Sequence, residues 1–412
     1  MEIIEHSLLP WPLFQTTLDN GFCVFTVPME NAHLSYVEIC FRSGSWQDGS
    51  HPGVAHFLEH LLYGGPDREE WHPSLKPLIY QGAKGNAATY DLFTRHHLIG
   101  PNRLSENMAA CLMEMTFRPM FDSRRIEIER QTIFDECRQR QPRSERSKRY
   151  CSKLYPHILR WQKPLGGSLG SVREIDSDAL LKYHEAHYVP NKACLVSVGG
   201  VDHQKMVEVA QKARMPLRKG EIEPCPDIVP KLSRCSVCEP EQPNSIKVFF
   251  KGPEDQVDRI RLEYALDLLD DVDVGLLFRR LRLKERLVYS ISAQQTDFPR
   301  IVAVETSIAP LHFNYVEEVL FEEVGVIAKG ESPEESFQLL VERRRIGQQA
   351  SREERSKGNF ADTVVSRWHE NDFVDRRQAV LNVTRDDVSQ AAEKYLRRDA
   401  YGCLHVFRGS DS

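Results

Sequence analysis

The chain has 412 residues, 41% hydrophobic and 28% charged, the profile of an ordinary globular protein with material for two or three domains. Its 54 basic and 60 acidic residues leave a net charge of −6, which gives no support to a nucleic-acid partner or an anionic membrane surface. No apolar run is long enough to span a bilayer, the N-terminal MEIIEHSLLPWPLFQTT lacks signal- or transit-peptide character, and ten cysteines are scattered without framework spacing, so the expected location is a reducing cytoplasm.

In chain order, LSYVEICFRSGS from Leu34 predicts a strand, and GVAHFLEHLLYGG from Gly53 an apolar helix. NAATYDLFTRHHLIG from Asn86 predicts another strand, and DSRRIEIERQTIFDECRQR from Asp122 a long charged helix. The stretch from about Arg214 to Pro243 is rich in Pro and charge and poor in periodicity. It suggests a domain at 1–220, a linker at 221–243 and a second domain at 244–412. Beyond it SIKVFFKGP predicts a strand, EYALDLLDDVDVGLLFRRLR a helix, LVYSISAQQ a strand, and helices follow from Val316. The same succession occurs twice, so the expected fold class is α+β, with two related domains, each a mostly antiparallel sheet packed with helices. AHFLEHLLYGG and EYALDLLDDVD occupy comparable places, but the second lacks the histidines.

His56 and His60 stand four apart, one turn from each other on one helix face, with Glu59 beside them. Val54, Ala55, Phe57, Leu58, Leu61 and Leu62 make the rest of the segment apolar nearly all round, as in a buried helix. Burying an unpaired polar group costs roughly 2–7 kcal/mol, so the three polar groups need strong partners. A zinc ion is one sufficient partner, and a neighbouring glutamate can take a proton from water there. A hydrogen-bonded pair of core histidines is the other. Catalytic zinc needs a third protein ligand, and the helix from Asp122 carries Glu129, Arg130 and Glu136, the two glutamates two turns apart on one face. Acids on such a helix ordinarily form a solvated face.

H-x-x-E-H is the inverted zincin motif. Gly53-Val54-Ala55-His56-Phe57-Leu58-Glu59-His60 resembles the signature of the pitrilysin/insulysin family of zinc metallopeptidases, in particular its half-length branch with mitochondrial processing peptidase and bacterial relatives. The E-R-x-x-x-x-x-E element, 76 residues after His60 at its last acid, is also similar, as are Asn86-Ala87-Ala88-Thr89, the stretch Lys163 to Gly170, Tyr188-Val189-Pro190-Asn191, and Arg282 to Tyr289. Gly65 stands where the family has a conserved-pattern Gly, whereas Tyr63 and Pro66 replace its usual Phe and Thr.

The resemblance implies one Zn2+ per chain, held by His56, His60 and Glu136, with Glu59 as general base and Glu129 in support. It implies that Asn86, Ala87, Ala88 and Thr89 form a substrate-binding strand, and that Arg282 and Tyr289 stabilise the oxyanion. The expected activity is that of a zinc metalloendopeptidase (a hydrolase) cutting unfolded or short peptides, with leader or precursor peptides among them. The expected assembly is a homodimer, or a heterodimer with a paralogous subunit, because insulysin-type relatives have four domains and this chain supplies two. The competing expectation is a non-catalytic or structural partner subunit.

Other signals carry less. Cys235-x-x-Cys238, with Cys225, falls short of a four-ligand zinc site. His96 and His97 are adjacent and face opposite sides of a strand. KPLGGSLGS lacks the P-loop pattern and suggests a turn. The basic run from Arg138 to Arg149 is interrupted by Glu145 and lacks aromatic residues, as a solvated segment does, with docking of acidic peptides the lesser reading.

Overall fold

The computed structural model describes all residues except 1–3, 7–10, 64–71, 225, 240–241, 297, 355–356, 372–375 and 410–412. Gly65, Pro66 and Cys225 therefore lie outside the described residues. The chain forms two compact units: Met1–Glu145 with Lys163–Cys225 and Arg352–Phe373, and Arg146–Gln162 with Pro226–Ser351 and Val374–Ser412.

The first unit holds seven strands: β1 (Ile4–His6), β2 (Leu13–Thr17), β3 (Cys23–Pro28), β4 (Leu34–Phe41), β5 (Lys84–Thr89), β6 (Thr94–Pro101) and β7 (Ala193–Gly199). They lie in the order β1-β2-β3-β7-β4-β6-β5, antiparallel except for β3 with β7. The second unit holds β8 (Arg234–Cys238), β9 (Ser245–Lys251), β10 (Ile291–Gln295), β11 (Ile301–Ser307) and β12 (Gly402–Phe407). Their order is β10-β11-β9-β12-β8, antiparallel except for β12 with β8. Reversed, it reads β8-β12-β9-β11-β10, the same path and directions as β3-β7-β4-β6-β5. The repeat expected from the sequence is thus two related α+β units. The Val54–Tyr63 helix between β4 and β5 corresponds to the Gln256–Asp270 helix between β9 and β10.

Two local features differ from the sequence reading. The stretch from Asn86 to Gly100 is a hairpin, not one strand, because the chain reverses where Tyr90 donates its N–H to the Phe93 carbonyl at 2.9 Å. The Pro-rich stretch before Pro243 contains β8, whose partner β12 is far away in sequence. A parallel pairing of that kind leaves no hairpin signal nearby.

Both faces of the first unit's sheet are covered. On one, Leu58, Leu61, Leu98, Leu112, Ile133 and Leu195 belong to the main core. On the other, Phe25, Tyr36, Val196 and Val198 pack against Phe360, Val364 and Trp368 of the Lys357–Glu370 helix. That helix comes from the second half of the chain. It is also held by charge: Arg95 donates to the fully buried Glu38 at 2.8 and 2.6 Å and pairs with Asp362 of the helix.

Truncating Phe360 to alanine empties the centre of that second layer and should cost about 3–5 kcal/mol. Hydrogen-exchange mass spectrometry should then show faster exchange in β3 and β7, with β9 and β12 at wild-type rates. Unchanged exchange in β3 and β7 would count against this packing.

Candidate metal centre

The Val54–Tyr63 helix starts on a built cap. Asp48 accepts from the backbone N–H of Gly53 at 2.7 Å and of Ala55 at 3.1 Å, satisfying donors that a helix start leaves free. Gly53 has φ +97°, and a Cβ there would lie 2.6 Å from the Gly166 carbonyl oxygen, so glycine is required on both counts. The Lys163–Gly170 stretch is thereby explained: its Gly166 backbone presses on the His56 ring, where a Cβ would be 3.1 Å from Nδ1. Behind it Ser168 caps the Leu169–Glu174 helix. No phosphate-binding role is needed.

The Ser123–Leu154 helix brings up the acids. Ile126 and Ile133 bury its inner face, and Arg130 donates to the Val172 carbonyl while its guanidinium lies 5.1 Å over the Phe57 ring. Arg130 thus ties this helix to the histidine helix. Glu129 and Glu136 then point at the two imidazoles. His56 Nε2 lies 3.6 Å from Glu136 Oε2, and His60 Nε2 lies 3.6 Å from Glu136 Oε1. His60 Nδ1 lies 3.3 Å from Oε2 of Glu129, which is 1% exposed.

These separations fit a metal. Four-coordinate zinc with bonds of about 2.0–2.1 Å sets its ligand atoms roughly 3.3–3.4 Å apart, close to the spacing of this donor set. His56, His60 and Glu59 offer ligand atoms within 4.8 Å of one another, but Glu136 is the acid that faces both Nε2 atoms. Burial, then His60 and Arg140, lowers the His56 pKa to about 3, which keeps the ring neutral with a lone pair to donate. Burial also opposes charge on His60, yet the hydrogen bond it donates to Glu129 and the nearby carboxylates raise its pKa overall. A metal would compete for Nε2 and leave the proton on Nδ1 with Glu129.

Glu59 is buried beside the histidines and is raised to about 7, mainly by burial. Its Oε2 accepts from Thr89 Oγ1 at 3.3 Å, a contact that the sequence reading did not foresee. Thr89 ends β5, the outermost strand of its sheet. Lys84, Gly85 and Asn86 are exposed along that edge, and Ala87 and Ala88 are half-buried. Gly85 accommodates Tyr63, whose hydroxyl a Cβ at Gly85 would strike. His56, Glu59, His60, Asn86, Ala87, Ala88, Thr89, Glu129 and Glu136 thus all gather in the first unit.

Arg282 and Tyr289 belong to the second unit. The Arg282 guanidinium lies 4.9 Å over the Tyr289 ring and Nη1 donates to the Val288 carbonyl at 3.2 Å. Tyr289 is 79% exposed. The segment is irregular: Arg279–Lys284 is a π-helical turn and Arg286 has φ +57°. Such irregularity in non-glycine residues concentrates at functional sites.

A second group of possible ligands, Glu317, Cys403 and His405, was not foreseen. A guanidinium already takes the cation's place there. Arg234 donates to Glu317 at 2.7 Å and to the His405 ring at 3.3 Å, and burial pushes the Cys403 thiol up to about 12. Cys235 and Cys238 stand three apart on β8 and face opposite sides of it. His96 is fully buried, its pKa lowered by burial to about 3, and His97 stacks on Tyr36 on the other face.

Residues 24–163 match the model of the insulinase family, peptidase family M16, and residues 174–343 that of the peptidase M16 inactive domain. The mitochondrial-processing peptidase subunit beta of Lentinula edodes is 28% identical over 205 residues, 48% of this chain and 43% of that protein. The insulin-degrading enzyme of Drosophila melanogaster is 27% identical over 193 residues, 44% of this chain and 19% of that enzyme. These matches span less than half of each relative. In fold, the chain is similar to pitrilysin, with a TM-score of 0.82 at 17% identity over 100% of this chain and 47% of that one. It is also similar to a protease from Helicobacter pylori, with a TM-score of 0.76 at 19% identity over 96% of this chain and 99% of that one. Both halves of its tandem architecture are matched by models of one family, and the chain belongs to peptidase family M16.

Proposed function

We propose that the chain is a zinc-dependent endopeptidase acting on unfolded or short peptides, leader or precursor peptides among them. The observation that carries this reading is the convergence of His56 Nε2 and His60 Nε2 on the two oxygens of Glu136, with Glu59 buried beside them. His56, His60 and Glu136 would hold the zinc. A bound zinc supplies Lewis acidity that acidifies water and polarises a peptide carbonyl. Glu59 takes the proton of the attacking water and passes one to the leaving amine. Glu129 accepts from His60 Nδ1 and so fixes the ring with Nε2 towards the metal. Substrate adds to the open edge of β5 as a further strand, bound through its backbone. A folded protein seldom offers such a strand.

Arg282 and Tyr289 would stabilise the oxyanion, each site taking the pair from a second two-domain chain, a copy of this one or a paralogue. A subunit of a processing peptidase among the relatives favours paired assembly and precursor substrates. The inactive-domain model matched by residues 174–343 favours a second reading, a non-catalytic partner subunit. No helix among the described residues is long and apolar enough to cross a membrane. We place the protein in the cytoplasm, where Cys40 and Cys194, opposite each other on β4 and β7, stay thiols.

His56→Ala and Glu136→Gln should each lose zinc by elemental analysis. Glu59→Gln should keep it and lose peptide cleavage by roughly 10²–10⁴-fold. Near-wild-type turnover by Glu59→Gln would overturn its role, and a zinc-free wild type without cleavage would leave the partner-subunit reading.

Thr89→Val removes the donor to Glu59 and should lower kcat by roughly tenfold with zinc retained. Thr89→Ser should recover most of it. Equal loss in both variants would mean that Thr89 does not act through its hydroxyl.

Mixing tests the paired site. Glu59→Gln assemblies should be inactive and Tyr289→Phe assemblies impaired. If sites form in trans, a mixed dimer has one intact site and recovers up to about half of wild-type activity. No rescue, with subunit exchange demonstrated by native mass spectrometry, would remove the trans arrangement.

A further inference from the structure

Arg140 stands one turn beyond Glu136 on the Ser123–Leu154 helix, with Nη2 3.1 Å from Glu136 Oε2. Among the described residues Glu136 is its one charged partner, and the side chain is 57% exposed. The same Glu136 oxygen lies 3.6 Å from His56 Nε2, so this cation stands one carboxylate away from the donor set. Arg138, two residues earlier, pairs with Asp135 at 2.6 Å on another face.

A pair four apart on a helix is ordinarily worth a few tenths of a kcal/mol and needs no further account. This one is different because its acid faces both histidines. A cation beside a metal site repels the metal and lowers its affinity. Against that cost a plain metal centre gains only the orientation of Glu136. An anionic ligand arriving beside the metal would offset the repulsion, and a guanidinium with one edge engaged still has N–H groups free to fork onto a carboxylate.

We propose that Arg140 makes this centre selective for peptides that carry a carboxylate next to the scissile bond. The inference rests on the peptidase reading above and names part of its substrate class. An extended peptide advances about 3.3 Å per residue, so an acidic side chain one or two residues from the cut comes within reach of a flexible arginine. A peptide's C-terminal carboxylate close to the cut presents the same chemistry.

The test uses the metal-loaded full chain and matched peptides with Glu or Gln at the positions flanking the cut, each with a free or an amidated C-terminus. Wild type should prefer Glu over Gln by roughly three- to tenfold in kcat/KM, mostly through KM, and the preference should shrink with added salt. Arg140→Gln should bring the ratio to about one, Arg140→Lys should keep part of it, and Arg138→Gln should leave it intact. A preference for the free over the amidated terminus that Arg140→Gln abolishes also supports the proposal, with the chain end as the source of the carboxylate. Anisotropy titration of the same labelled peptides onto Glu59→Gln, with and without Arg140→Gln, reads the same ratios without turnover. A wild-type ratio of one, or a ratio unchanged by Arg140→Gln, overturns the proposal. Absence of cleavage of every peptide by the wild type fails the peptidase reading instead, and the anisotropy ratios still decide the role of Arg140.

Discussion

The imidazoles of His56 and His60 sit on a helix buried nearly all round, and they must find partners without water. Much of the first unit's local structure answers that requirement. Asp48 and Gly53 set where the helix starts, Gly166 leaves room for the His56 ring, and Arg130 clamps the acidic helix so that Glu136 meets both Nε2 atoms. Glu129, itself buried, has its own need for a partner, and His60 Nδ1 meets it. The protein alone does not satisfy the whole cluster, since His56 Nδ1 and Glu129 Oε1 are buried without a hydrogen-bond partner, and the two Nε2 atoms and the Glu136 oxygens keep the spacing of a metal's donor set.

The second unit meets the same topological problem in another way. Its corresponding helix between β9 and β10 has no histidine and instead carries Glu263 and Asp267, also four apart. Arg344, on the long Glu334–Glu354 helix, donates to Glu263 at 2.9 Å and to Asp267 Oδ2 at 3.0 Å and stacks 4.5 Å over Tyr264. The partner is therefore a guanidinium supplied by the fold itself. The arginine neutralises charge on both acids, and without imidazoles beside them the pair lacks the nitrogen donors of the first copy. The same scaffold, with the polar groups exchanged, is a structural ion pair in one copy and an open coordination set in the other.

The convergence of the site's side chains was largely legible because their spacing within each helix is local in sequence. The spacing of His56, Glu59 and His60 fixes a helix face, and the spacing of Glu129 and Glu136 fixes another. What was not legible depends on distant contacts. The hairpin turn at Tyr90 lies inside an apolar run that reads as one strand. β8 has no nearby partner, since β12 lies beyond residue 400. The Lys357–Glu370 helix packs against the first unit's sheet although it follows most of the second unit in sequence, and a linear division of the chain cannot express that. Thr89 reads as part of a strand, and only its position opposite Glu59 shows that it also holds that carboxylate.

That double use of β5 bears on how binding and chemistry are linked. An open edge strand is a liability that proteins usually blunt with charge, shortness or cover. β5 is short, carries Lys84 at one end and otherwise small side chains, so its outer backbone stays available without an apolar surface to invite aggregation. Pairing through backbone binds almost any extended peptide and discriminates little. Thr89 makes the same strand the support of Glu59, so in the proposed reading a peptide paired to β5 lies on the strand that holds Glu59. Discrimination between peptides must then come from side chains that project into the site from elsewhere, and the long acidic helix, which already supplies Glu136, is where such a side chain stands.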